Sequence, residues 1–119
     1  MRMLFVGTHG SESPTHAVLP LLQAQGALEE GHAAEVILVG DAVVLMKDAV
    51  AGATIPVGWP PVGDVLAKLI DHQIPIYVLG GCSTARGVVE ADLQGKNAKF
   101  ITPNIAAQRI AAADRVLTF

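Results

Sequence analysis

The chain is poor in cysteine, aromatic rings and charge. One cysteine in 119 residues, Cys82, excludes an internal disulfide and a Cys-rich zinc site, leaving only an intermolecular bridge open. The four histidines at 9, 16, 32 and 72 never make a His-x-x-x-His pair, so no metal site is expected. Only eight residues are Lys or Arg, none of them clustered, and the net charge is -3. Nucleic acid is therefore not an expected partner. No apolar run approaches the ~20 residues that cross a bilayer, so no membrane span is expected. Met1-Arg2 leads into a strand-length run without a signal-peptide cleavage pattern, and the expectation is a soluble, cytoplasmic protein. Neither G-x-x-x-x-G-K-[ST] nor G-x-G-x-x-G occurs, so Gly7-Thr8-His9-Gly10 reads as a glycine-rich turn and no cofactor is expected.

What remains is strongly apolar: 51% of residues are hydrophobic and only 4% aromatic. That is the composition of one domain with an aliphatic core, spanning residues 1–119. Strands covered by helices on both faces read as continuous Val/Ile/Leu runs, and such runs occur at Met3–Val6, Glu35–Val39 and Pro75–Leu79. Lys99–Ile101 and Arg115–Phe119 are shorter candidates. Between the runs lie helical patterns. Ser13-Pro14 pairs a hydroxyl N-cap with a proline at the first helical position, opening a helix to about Glu30. Pro20 lies inside that helix and predicts a kink. Asp41 is placed to cap a short helix from Ala42 to about Val50, and Val65, Leu66, Leu69 and Ile70 mark a third helix. Thr54–Pro61 is irregular, with three prolines and Trp59. A short helix is expected after Cys82, a further turn at Val88–Leu93, and a last helix from Thr102-Pro103 to about Ala113. Alternation of this kind gives an α/β fold with a mainly parallel sheet between helix layers.

Ligands of open parallel sheets bind beyond the carboxyl ends of the strands. After the first strand come Thr8, His9, Ser11, Glu12 and Ser13; after the second, Asp41. Gly81, Cys82, Ser83, Thr84 and Arg86 follow the third, and Thr102 and Asn104 the next. These loops are expected to converge on one shallow pocket around the Cys82 sulfur. A helix start and a nearby cation both favour the thiolate, the nucleophilic form, and Arg86 lies four residues on. Two readings of Cys82 stand: an activated thiol, or a small buried hydrophobe. Arg86 equally supports the anion or pairs on the surface with Glu90. His9, Glu12 and His16 are candidate acid/base groups or plain loop residues.

The segment SPTHAVLPLLQAQGALEEGHAAEVILVGDAVVLM, the cysteine loop IPIYVLGGCSTARGV, and the closing KNAKFIT and DRVLTF together resemble the DsrE/DsrF-like proteins of sulfur-relay systems. The resemblance covers nearly the whole chain and accounts for Pro20. It implies a three-layer α/β/α sandwich around about five strands, assembled as trimers or hexamers. It also implies a sulfurtransferase-like carrier role in which Cys82 takes sulfane sulfur as a persulfide from a donor protein and relays it to an acceptor. Relatives vary at this loop: some lack the cysteine, and some carry a second one where this chain has Gly81 and Ser83. The alternatives are a non-catalytic module holding a small anion or nucleotide, or a structural oligomer acting as an adaptor.

Overall fold

Five apolar runs pair into a single sheet in the order β4-β3-β2-β1-β5, every neighbour parallel. The computed structural model describes residues 1–119. The strands are β1 (Arg2–Gly7), β2 (Ala33–Leu38), β3 (Ile76–Leu79), β4 (Ala98–Ile101) and β5 (Arg115–Thr118). The expected mainly parallel sheet is thus wholly parallel. The helices are α1 (Pro14–Glu29), α2 (Asp48–Ala53), α3 (Val62–Asp71), α4 (Gly80–Ala85) and α5 (Pro103–Ala112). 3-10 turns at Gly40–Met46 and Glu90–Leu93 complete the chain.

Alternation along each strand divides the core in two. Phe5, Val36, Leu38, Ile76 and Val78 point to one face, where α1, α3 and the Gly40–Met46 segment bury them. Leu4, Ile37, Tyr77 and Ile101 point to the other, under α5. The second layer is thin. α5 lies across β1, β3 and β4 yet has no buried residue of its own. The arrangement is an α/β sandwich with one heavy and one light helical layer.

α1 continues through Pro20. The proline has no N–H, so the His16 carbonyl forgoes its helical donor. Its ring instead packs on the end of β1: a Cβ built on Gly7 would lie 3.3 Å from Pro20 Cγ and 3.2 Å from Leu38 Cδ2.

The helix expected from Ala42 to Val50 is corrected. Ala42, Val43, Leu45 and Met46 are all buried. Nearly consecutive burial does not suit the one-sided stripe of a surface α-helix, and the segment winds more tightly as a 3-10 helix. Lys47 then turns extended, and α2 starts at Asp48.

α5 is tied to the sheet by charge. Glu35 on β2 accepts from both Nε (3.1 Å) and Nη2 of Arg109, with Arg2 Nη2 at 3.7 Å. The Arg109 guanidinium also lies 5.3 Å from the centre of the Tyr77 ring, and Lys99 Nζ 5.5 Å. The Glu35 hydrogen bond holds the Arg109 pKa above the ordinary guanidinium value.

Candidate functional site

Cys82 sits at the carboxyl edge of the sheet, in the first turn of α4. That helix begins at Gly80, before the cysteine rather than after it. Gly80 starts the turn where the chain passes close to β4: a Cβ there would lie 3.5 Å from the Ile101 carbonyl oxygen. Cys82 is a free cysteine and half-buried, and its side chain packs against the α1/α3-side core. Cys82 is thus neither wholly enclosed, as a buried hydrophobe would be, nor fully exposed. With six residues, α4 sums few peptide dipoles, so its contribution to stabilising a thiolate is small.

Arg86 is near, but engaged. Its Nε and Nη2 both lie 3.0 Å from Asp41 Oδ1. Nη1 donates to the Cys82 carbonyl at 3.2 Å. None of its hydrogen bonds reaches the sulfur, and its carboxylate partner is Asp41 rather than Glu90.

The remaining expected site residues divide by what they touch. Ser83 is 1% exposed and donates its hydroxyl to the Leu79 carbonyl at 2.9 Å; it is corrected to a structural residue of α4. Thr84 is exposed and donates in the same way to Gly80 at 3.1 Å. Gly81 and Asn104 are exposed. Thr102 caps α5, accepting from the Ile105 N–H at 3.4 Å.

In the first loop, the Thr8 hydroxyl donates its one hydrogen to the Phe119 carbonyl. At 3.0 Å from His9 Nδ1 it can then only accept. His16 Nδ1 lies 2.7 Å from Ser13 Oγ, and the two imidazoles stack at 4.6 Å. The Glu12 carboxylate is spent on the Gly10 N–H at 2.8 and 3.0 Å. Ser11 is exposed.

These loops share one edge but not one pocket. The molecule's four cavities lie elsewhere, and none is lined by Cys82, Arg86, Thr8, His9, Ser11, Ser13, Gly81, Ser83, Thr84 or Asn104. Strand order explains this. β2 stands between β1 and β3, so the residues that follow it fill the gap. A Cβ at Gly10 would lie 2.3 Å from the Asp41 carbonyl oxygen and 2.7 Å from Val44 Cγ2. Asp41 in turn binds Arg86. The expected pocket is corrected to a closed seam with Cys82 on its rim. The largest cavity, about 540 Å³, lies where β3 and β4 begin, around Tyr77, Asn97 and Lys99.

No group of three or more His, Cys, Asp or Glu side chains is arranged to hold a metal. No helix is long and apolar enough to cross a membrane.

A model of the DsrE/DsrF-like family matches residues 1–119. Among solved structures, the fold is similar to the crystal structure of the YchN protein from E. coli, with a TM-score of 0.78 at 22% identity, covering 100% of this chain and 99% of that one. No curated protein matches the sequence.

Proposed function

Because the chain belongs to the DsrE/DsrF-like family, we propose that it serves sulfur relay, with Cys82 as the carrying thiol. The observation that carries this reading is the placement of the chain's one cysteine. It stands partly exposed in the first turn after β3, at the sheet edge where parallel folds present their chemistry. In the forward step the Cys82 thiolate attacks the outer sulfur of a donor persulfide. A new S–S bond forms on Cys82, the donor's S–S bond breaks, and the donor leaves as its thiolate. An acceptor thiolate then attacks the outer sulfur, and Cys82 leaves as thiolate. One sulfur atom moves with no net oxidation, so neither a cofactor nor a metal is needed.

The closed seam around Cys82 bears on the partners. A site without a cavity suits macromolecular donors and acceptors whose own thiols reach an exposed rim. Assembly into trimers or hexamers belongs to the same proposal, and the thin α5 layer supports it. The chain is then a sulfurtransferase-like carrier rather than an enzyme with a bound substrate.

A second reading is favoured by the Asp41–Arg86 pair: the cation is neutralised, and the protein acts as a structural adaptor with an inert thiol. Intact mass after exposure to a small persulfide donor separates the two. The carrier gains one sulfur atom, removed by reducing agent, and Cys82→Ser gains none. An unmodified wild-type mass under donor excess would overturn the carrier reading.

A further inference from the structure

The Pro-rich loop Thr54–Pro61 has no part in the edge described above, yet it is firmly built. Thr54 is 2% exposed; its hydroxyl donates to the Val50 carbonyl at 2.8 Å, and its own carbonyl accepts from Val62 N–H at 2.9 Å. Trp59 N–H closes a turn on the Pro56 carbonyl at 3.3 Å, with Gly58 at φ +82°. Pro60 and Pro61 stiffen the exit. The chain's only tryptophan, 50% exposed, is thus held in place by its backbone.

Trp59 forms one wall of a 470 Å³ groove between α1 and α3, with Leu22, Pro60 and Val65 supplying apolar surface. That volume lies in the range of roughly 300–1,000 Å³ typical of small-molecule sites. Two opposite charges also line it, Glu29 and Lys68. They do not pair with each other, and neither joins any of the molecule's salt bridges. Glu29 accepts only the Gln25 amide, at 3.1 Å. The Lys68 ammonium makes no hydrogen bond.

An indole carried on a fixed backbone, an apolar floor and two unpaired opposite charges complement one kind of ligand. We propose that this groove binds a small zwitterion with an aromatic or branched apolar body, such as a free apolar α-amino acid. Its carboxylate faces Lys68, its ammonium faces Glu29, and its side chain lies against Trp59. The site is independent of Cys82 and of sulfur relay. The groove is open to water, so the expected dissociation constant is roughly 0.1–1 mM.

Trp59 is its own reporter. Its emission is followed at the red edge of indole absorption, where phenylalanine is transparent, during titration with L-phenylalanine, 3-phenylpropionate and phenethylamine. The last two each delete one charge from the first. The proposal expects a saturable emission change with L-phenylalanine and binding weaker by about fivefold or more for each truncated analogue. Lys68→Gln should weaken the two carboxylates and spare phenethylamine; Glu29→Gln should weaken the two amines and spare 3-phenylpropionate. Both side chains are exposed, and an unchanged urea midpoint confirms that each variant folds. No saturable change up to about 10 mM, or equal binding of all three compounds, overturns the proposal. So does emission that responds only to protein concentration, which would make the groove a contact between copies.

Discussion

Arg86 and Asp41 are bound side chain to side chain, with Nε and Nη2 of the arginine both 3.0 Å from Oδ1 of the aspartate. They belong to different loops, one following β3 and one following β2. The pair closes the sheet edge and sets how much positive charge Cys82 feels. Its electrostatic consequence outweighs its energetic one, because exposed ion pairs contribute only about 0–1 kcal/mol.

Two substitutions with opposite signs follow. Arg86→Ala removes the cation four residues from the thiol and should slow Cys82 alkylation at neutral pH severalfold. Asp41→Asn removes the opposing anion, frees the guanidinium and should speed it. Iodoacetamide kinetics across pH read both, and the unfolding midpoint should hardly move. Equal rates in all three proteins would make Arg86 a structural residue and weaken the carrier proposal.

The Glu35–Arg109 link is a different kind of pair. Its side chains are only 16% and 27% exposed, and the contact uses two donors of the arginine. Charge-assisted bonds of this kind are worth about 1.5–3 kcal/mol when lost. Arg109→Ala should lower stability by about that much in urea unfolding, with α5 exchanging its amide hydrogens faster than β1–β3. Arg109→Lys should recover only part, since an ammonium cannot reproduce the fork. A loss within about 0.5 kcal/mol would show that the light layer is held by Ala106 and Ala113 alone.

The strands were legible because a parallel sheet buried on both faces writes itself as continuous apolar runs; Glu35–Val39 and Pro75–Leu79 are of this kind. Helix starts were legible where a local device marks them: Thr102-Pro103 caps as expected, while at Ser13-Pro14 the proline opens the helix and the expected hydroxyl cap is corrected, since Ser13 Oγ meets His16 instead. The errors lie where tertiary neighbours decide. Buried Val43 and Met46 wind the Gly40–Met46 segment into a 3-10 turn although its local pattern suits an α-helix. The seam between the loops depends on which strand stands between which, and the residues of a loop do not encode that. Glu35 did carry a signal, a carboxylate at the start of an apolar strand. Its partner lies 74 residues away, beyond the reach of any local periodicity. Trp59 was visible among its prolines, but the groove it walls needs α1 as well as the adjoining α3, and α1 is distant from it in sequence.

Gly10 and Gly81 give a matched test of the seam. A methyl at Gly10 would press on the Asp41 carbonyl and Val44, with backbone as the unyielding neighbour; nothing lies within 4 Å of one at Gly81. Gly10→Ala should cost about 1–3 kcal/mol by overpacking and should disturb the Asp41–Arg86 pair. Gly81→Ala, within α4, should be neutral or stabilise by up to about 1 kcal/mol. Urea midpoints decide, and comparable losses at both positions would contradict the closed seam.

Asp92 predicts how one corner responds to acid. Its pKa is held below the ordinary aspartate range, first by the Val89 N–H and then by Lys47; the two contacts measure 2.8 and 3.1 Å. A depressed folded-state pKa contributes stability that is fully present above the unfolded value, and this is lost as pH falls through the folded one. The Glu90–Leu93 turn should therefore loosen only below about pH 4. Asp92→Asn should flatten that part of the acid limb and leave pH 7 titrations of fold unchanged apart from a small constant offset. An identical acid limb in the variant would rule out the contribution.

The α5 face carries the prediction of self-association. Ile105 and Ile110 on α5 are 37% and 45% exposed and Val116 on β5 is 40% exposed, and α5 buries none of its residues. Val6, Val39 and Leu79 are only partly covered beneath it. A standard interface takes about 800 Å² from each partner, somewhat over half of it apolar. At about 25 cal/mol per Å² that area is worth roughly 20 kcal/mol gross, against association costs of about 4–15 kcal/mol. The difference of about 5–16 kcal/mol spans the roughly 8 kcal/mol that micromolar association takes. Light scattering should therefore report an oligomer, and Ile110→Lys or Val116→Lys should shift it toward monomer. Cys82 stands at the sheet edge with its side chain against the opposite core, so its alkylation should survive those substitutions. A wild-type monomer at micromolar concentration would refute the association. A lysine variant that stays oligomeric would move the interface off this face, with the Ile55–Trp59 turn as the next apolar surface to test.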